Sequence, residues 1–161
     1  MGKKALVIVY SYHHGNTKKI ADTIAGVLDA EVKQPQGITP DEISKYDIVG
    51  FGAGIDSGKH YAPLLKLAEA IPAVQGQEVF IFSTAGVSSE KKTLRDHSAL
   101  REILLPKGYT VVDEFACKGF NTNSVLKYIG GMNKGRPNED DLQSAVAFAH
   151  KLKKGGWQAD G

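Results

Sequence analysis

Ser11-Tyr12-His13-His14-Gly15-Asn16-Thr17 lies between an apolar run, ALVIVY at 5–10, and a stretch with helical spacing. Two kinds of chemistry suit those residue types. Adjacent histidines beside a glycine could ligate a metal. Equally, Ser11, Gly15 and Thr17 could cradle a phosphate. An anion at a helix N-terminus needs free backbone N–H groups, a glycine for close approach and short hydroxyl side chains. Adjacent side chains diverge and no third ligand is near in sequence, so the His13–His14 pair is badly placed for a metal. Phosphate is the better reading. No lysine follows the glycine in Walker fashion, so a nucleoside triphosphate with Mg²⁺ is not indicated. Asn16 can cap the helix that starts there. The plainer alternative is a capped helix start with two exposed histidines.

Three further loops carry candidate chemistry. GFGAGIDSGKHYAP, residues 50–63, holds Gly50, Gly52, Gly54 and Gly58. The set resembles a dinucleotide fingerprint but has the wrong spacing and follows the wrong strand. Glycines clustered there suggest backbone close to a flat ligand, with Lys59, His60 and Tyr61 offering a cation and two rings. STAGVSSEKK, residues 83–92, is again small and permissive, and Ser88 or Ser89 before Glu90 reads as a helix cap. CKGFNTNS places Cys117, Phe120 and Asn121 near the same edge, with Cys117 a packing thiol rather than a nucleophile. There is no Ser-His-Asp order, no carboxylate pair at fixed spacing and no HExxH, so nothing argues for hydrolysis.

The elements that must position these loops read as alternating strands and helices. Short continuous apolar runs, as expected of strands buried on both faces, are ALVIVY (5–10), YDIVGFG (46–52), EVFIFS (78–83) and YTVVDEFA (109–116). A weaker run, AEVKQ at 30–34, would pair at an edge. Ile20, Ile24, Val27 and Leu28 mark one helix. Leu64, Leu65, Leu67, Ala68 and Ile71 mark a second, with Pro63 in its first turn. A third spans about 90–105, with Leu94, Leu100, Ile103 and Leu104 inward. The last covers about 139–154, with Asn138 as N-cap, an acidic first turn, a basic end and Gly155-Gly156 as the stop. Five strands alternating with helices give an α/β fold, a parallel sheet with right-handed crossovers and helices on both faces. In such open sheets ligands bind outside the carboxyl ends of the strands, which is where all four loops lie.

Composition narrows the class. The length of 161 residues suits one domain, here 1–154 with 155–161 as a tail, and allows a core that needs no staples. A net charge of +2 with scattered Lys and Arg gives no basic stripe for nucleic acid. A single cysteine excludes an internal disulfide and a cysteine-cluster metal site. No apolar run approaches the roughly 18–20 residues of a membrane helix. MGKKALVIVYSYHHG enters polar loop chemistry too early for a signal peptide, and Gly2 runs straight into a core strand, which argues against myristoylation. The cytoplasm is the expected location.

Taken together, the loops resemble those of the flavodoxin family. SYHHGNT is similar to the family's FMN-phosphate loop, roughly hydroxyl-x-hydroxyl-x-Gly-Asn-Thr. VGFGAGIDSGKHY resembles the second flavin loop and FSTAGVSS the third. ACKGFNTN…GRPNEDDL resembles the end of a short-chain member, without the insertion that splits the fifth strand of long-chain relatives. The resemblance extends to about residue 154. It implies a flavodoxin-like three-layer sandwich, a five-stranded parallel sheet of order 2-1-3-4-5, with FMN bound non-covalently. Ser11 and Thr17 would give hydroxyls to the phosphate, and the backbone N–H groups of Tyr12, His13, His14, Gly15, Asn16 and Thr17 the rest. Ala53, Gly54, Ile55, Asp56, Gly58, Lys59 and His60 would face one side of the isoalloxazine and its N5 edge. Thr84, Ala85, Gly86 and Val87 would contact the pyrimidine side.

Three departures stand out. His13 replaces the second hydroxyl of the phosphate loop. Asp56 and Ser57 occupy a stretch where many relatives carry a stacking aromatic. The pI near 8.5 contrasts with the acidity of many flavodoxins. Within the resemblance, Asp56-Ser57-Gly58 is the candidate peptide switch near N5. Lys59 and His60 should stabilise negative charge on the reduced ring. The implied function is electron transfer between redox partner proteins, a reductase and an acceptor, by a monomer or weak homodimer that engages neither nucleic acid nor membrane. The alternative is an FMN-dependent oxidoreductase acting on a quinone, a porphyrinogen or a nicotinamide. GAGIDSGKHY is similar to the loop of flavodoxin-like protoporphyrinogen dehydrogenases, but the long segment expected after the fourth strand is missing. A response-regulator-like phosphate module is disfavoured because IVGFG offers no phosphoacceptor aspartate.

Overall fold

The computed structural model describes residues 4–11, 16–56, 58–85, 89–118 and 139–154. Its elements are β1 (Ala5–Tyr10), α1 (Asn16–Leu28), β2 (Glu31–Lys33), β3 (Ile48–Asp56), β4 (Lys59–His60), α2 (Ala62–Ala70), β5 (Glu78–Ala85), α3 (Glu90–Asp96), α4 (Ser98–Leu104), β6 (Thr110–Lys118) and α5 (Glu139–Lys154). The main sheet runs β2-β1-β3-β5-β6 with every neighbour parallel. With the two-residue β4 set aside, this is the 2-1-3-4-5 order that the resemblance implies. The added strand β4 folds back antiparallel on β3, pairing Ile55 with His60 and Asp56 with Lys59. The loop read at 53–60 is therefore a hairpin, and β3 and β5 run past the ends read from their apolar residues.

Side chains alternate along each strand and so build two cores. Val7, Val9, Phe80 and Phe82 face α1 and α5, where Ile20, Ile24, Ala145 and Phe148 cover them. Leu6, Ile8, Phe51 and Ile81 face the other layer, with Leu64, Leu67, Leu100 and Leu104 from α2 and α4. A Cβ built on Gly50 would run into the Phe80 ring, and one on Gly52 into the Phe82 ring. These two glycines make room for the protein's own aromatics. That corrects the reading of the pair as backbone kept bare for a flat ligand.

One helix expected over about 90–105 is two. Ser98 Oγ donates to the Arg95 carbonyl at 2.7 Å, and the Arg101 guanidinium bonds the Leu94 carbonyl. Side chains thus take up carbonyls at the junction, and the chain turns at His97. The turn carries Leu94 out to 55% exposure, where helical spacing placed it inward, while Leu100 and Leu104 are buried as expected. Ser89 caps α3, accepting the Lys92 N–H at 3.1 Å. Among the described residues no helix is long and apolar enough to cross a membrane.

Candidate functional site

Register gathers the candidate residues at one edge of the sheet. Tyr10 pairs with Ala53, Ala53 with Ser83 and Ser83 with Ala116; one step on, Gly54 pairs with Thr84 and Thr84 with Cys117. The carboxyl ends of four strands therefore lie on the same side of the sheet, β1 stopping at Tyr10 while β3, β5 and β6 run on to Asp56, Ala85 and Lys118. Of the expected ligand residues, Tyr12, His13, His14, Gly15, Gly86 and Val87 lie outside the described residues, as does Ser57.

α1 begins at Asn16 with no acidic side chain in its first turn, leaving an end suited to an anion. Ser11 Oγ accepts the Lys18 N–H at 3.4 Å, a long bond tying the end of β1 to the start of α1. Thr17 Oγ1 lies 2.8 Å from Thr84 Oγ1. That buried contact joins the first loop to the third across 67 residues of chain.

The hairpin turns through Gly58 at φ +79°, a backbone conformation that residues with a Cβ rarely adopt. The Tyr61 N–H donates to the Gly54 carbonyl at 3.2 Å. Tyr61 packs its ring where a Gly54 Cβ would come within 2.7 Å, and meets Tyr10 edge-on at 5.9 Å. Lys59 is exposed. His60 is not. Its ring is 1% exposed, so it offers no face to the surface at the loops and acts from within the fold.

Around His60 is a polar cluster that sequence reading missed. His60 Nε2 donates to the Phe82 carbonyl at 3.0 Å, and its ring lies 4.9 Å from that of His97. Among the described residues its Nδ1 has no partner. Burial, and secondarily the neighbouring His97, push the His60 pKa down to about 3, with the Phe82 carbonyl opposing them. His97 in turn sets Nε2 2.7 Å from Ser83 Oγ and Nδ1 2.8 Å from Glu114 Oε1. Arg101 Nε closes the chain 2.9 Å from Glu114 Oε2. Partial burial alone would raise the Glu114 pKa, but the bond from His97 and the Arg101 charge outweigh it and hold the carboxyl below its ordinary value.

Ser83, His97 and Glu114 thus have the connectivity of a Ser–His–acid triad, although their order in the chain gave no such sign. Ser83 is buried and its hydroxyl is taken up by His97, so the cluster holds β5, β6 and the α3–α4 junction together. The only sequence clue was polar residues within apolar runs, Ser83 in EVFIFS and Glu114 in YTVVDEFA. Cys117 is buried, in keeping with a packing thiol. No group of three metal-ligating side chains occurs among the described residues.

The donor set fits a phosphorylated flat ligand. A carboxylate-free helix start and short hydroxyls stand beside the Thr84–Ala85 end of β5, while the Tyr61 ring covers Gly54 on β3. The family described as a flavodoxin domain matches residues 7–144. An uncharacterized protein of Methanocaldococcus jannaschii, MJ0298, is 43% identical over 151 residues, covering 94% of this chain and 99% of its own. Flavodoxin 2 of Bacillus cereus superimposes with a TM-score of 0.70 at 19% identity, over 94% of this chain and 98% of that one. A flavodoxin from the domain Archaea does so with a TM-score of 0.62 at 20% identity, over 93% and 99%. Family match and strand order together lead to one conclusion: the chain belongs to the flavodoxin domain family.

Proposed function

We propose that this protein binds FMN non-covalently at the carboxyl edge of β1, β3 and β5 and carries electrons between redox partner proteins in the cytoplasm. The observation that carries the reading is the convergence of an anion-suited helix start, a glycine-turned hairpin and the small-residue end of β5 on one edge of the sheet. Bound there, the flavin supplies the one- and two-electron chemistry. The chain's own residues bind and tune. Ser11, the N–H groups at the start of α1 and the Thr17 side chain hold the phosphoryl group. Gly58 lets the hairpin turn tightly, and its neighbour Lys59 places a cation by the ring. Among the described residues, His60, His97 and Ser83 bond one another or the backbone inside the fold, which suits a carrier.

The test begins with colour. Purified protein should carry an oxidised-flavin spectrum, with FMN released on denaturation. A colourless protein that also fails to bind added FMN would overturn the reading. Dithionite should then reduce the bound cofactor while NADH and NADPH do not. Direct reduction by either nicotinamide, with turnover of a quinone, would shift the assignment to an oxidoreductase.

A further inference from the structure

We infer that Thr84 is a positioning residue that sets a preference for phosphorylated flavin over riboflavin: its hydroxyl donates to Thr17 Oγ1 and so turns the Thr17 O–H toward the phosphoryl group. The inference rests on the FMN-site reading above and deepens it. Thr84 follows Phe80 and Phe82 on the α1 side of β5, so strand alternation aims its side chain at α1, not along the sheet edge. Both hydroxyls are enclosed, Thr17 at 2% and Thr84 at 5% exposure, and their oxygens lie 2.8 Å apart.

Two hydroxyls carry two hydrogens, and the bond between them uses one. Among the described residues the other hydrogen has no acceptor. An enclosed hydroxyl without an acceptor costs stability, and a phosphoryl oxygen, which only accepts, supplies what is missing. The start of α1 favours that oxygen, since its first turn bears no acid. Either hydroxyl could donate across this contact, and donation from Thr84 to Thr17 is the arrangement that leaves the remaining hydrogen on the helix side, where the anion would be held. A hydroxyl that accepts one bond is also polarised to donate a stronger one. The discrimination therefore depends on a residue of the third loop's strand that need not touch the phosphate.

Affinities of the intact apoprotein for FMN and for riboflavin, measured by fluorescence quenching, decide the matter. Thr84→Val keeps the shape and removes the hydroxyl. It should weaken FMN binding about tenfold and leave riboflavin within about twofold, the scale of one bond to a charged group. Thr84→Ser should retain the wild-type ratio, and Thr17→Val with Thr84→Val should cost no more than either alone. Should Thr84→Val not fold, Thr84→Ala carries the same comparison. Equal weakening of both flavins, or no change in the ratio, overturns the inference and leaves the FMN reading standing. Wild-type protein that binds neither flavin overturns both.

Discussion

His60 Nε2 donates to the carbonyl oxygen of Phe82 across 3.0 Å, fastening the β3–β4 hairpin to the neighbouring strand β5. The hairpin that turns at Gly58 is thus held from inside the fold by an imidazole with no access to solvent. Its role is to fix the second loop against the strand that feeds the third.

That imidazole makes the fold acid-sensitive. With a folded pKa of about 3 against an ordinary 6.5, His60 stays uncharged in the native state while the unfolded chain binds a proton as pH falls through 6.5. Its contribution is fully present above 6.5 and is lost progressively between 6.5 and 3, roughly 4 to 5 kcal/mol over the whole window. The lowered pKa of Glu114 acts in the same direction, but only below the ordinary carboxyl range. Urea unfolding at pH 7, 6 and 5 should give falling stability in the wild type and a flatter dependence in His60→Gln. Parallel pH profiles would refute it.

The glycines under the phenyl rings should be intolerant of a methyl group. Gly50→Ala pushes a Cβ into the Phe80 ring and Gly52→Ala into the Phe82 ring, so each ring must shift within the core. Each should cost about 1–3 kcal/mol, the scale of overpacking. Pairing Gly50→Ala with Phe80→Leu should recover part of the loss in a double-mutant cycle. Additive losses would show that ring and glycine are not coupled.

Breaking the buried relay from one end should leave polar atoms stranded. Glu114→Leu strands the His97 Nδ1–H and removes the ion partner of Arg101. A loss of about 1–3 kcal/mol is expected, measured by chemical denaturation, with Glu114→Gln milder because its amide oxygen still accepts from His97. If Glu114→Leu is as stable as the wild type, the relay is dispensable.

Charge at the hairpin should tune the bound cofactor. Lys59 is exposed beside the turn, so Lys59→Glu replaces a cation by an anion near a ring that gains negative charge. The potential for full reduction should fall, and the difference from wild type should shrink as salt rises, since the Debye length is only about 8 Å at physiological strength. Spectroelectrochemistry reads both effects. An unchanged potential at low salt would remove Lys59 from the tuning groups.

Local signals in the sequence determined the fold. The apolar runs at 5–10, 46–52 and 78–83 became buried parallel strands, whereas 30–34 and 109–116 became the partly exposed edge strands β2 and β6. Helical spacing at Ile20, Ile24 and Leu28 became the inner face of α1, and Ser89 became the cap of α3. The loop cluster at the strand ends was legible too, because alternation of strand and helix puts every βα turn at one edge. Through-space contacts were not legible. Whether Gly50 admits a ligand or a phenyl ring depends on register with Phe80, which no pattern within either strand encodes. His60 reads as a surface ring until the hairpin turns it beneath Phe82. Ser83, His97 and Glu114 lie 14 and 17 residues apart without periodicity, and only the pairing of β5 with β6 and the break at His97 bring them into one hydrogen-bonded line. The sequence by itself determined which segments become strands and helices, because periodicity and capping are local. Tertiary structure alone decided which polar side chains face a ligand and which face each other, because that choice is made across strands.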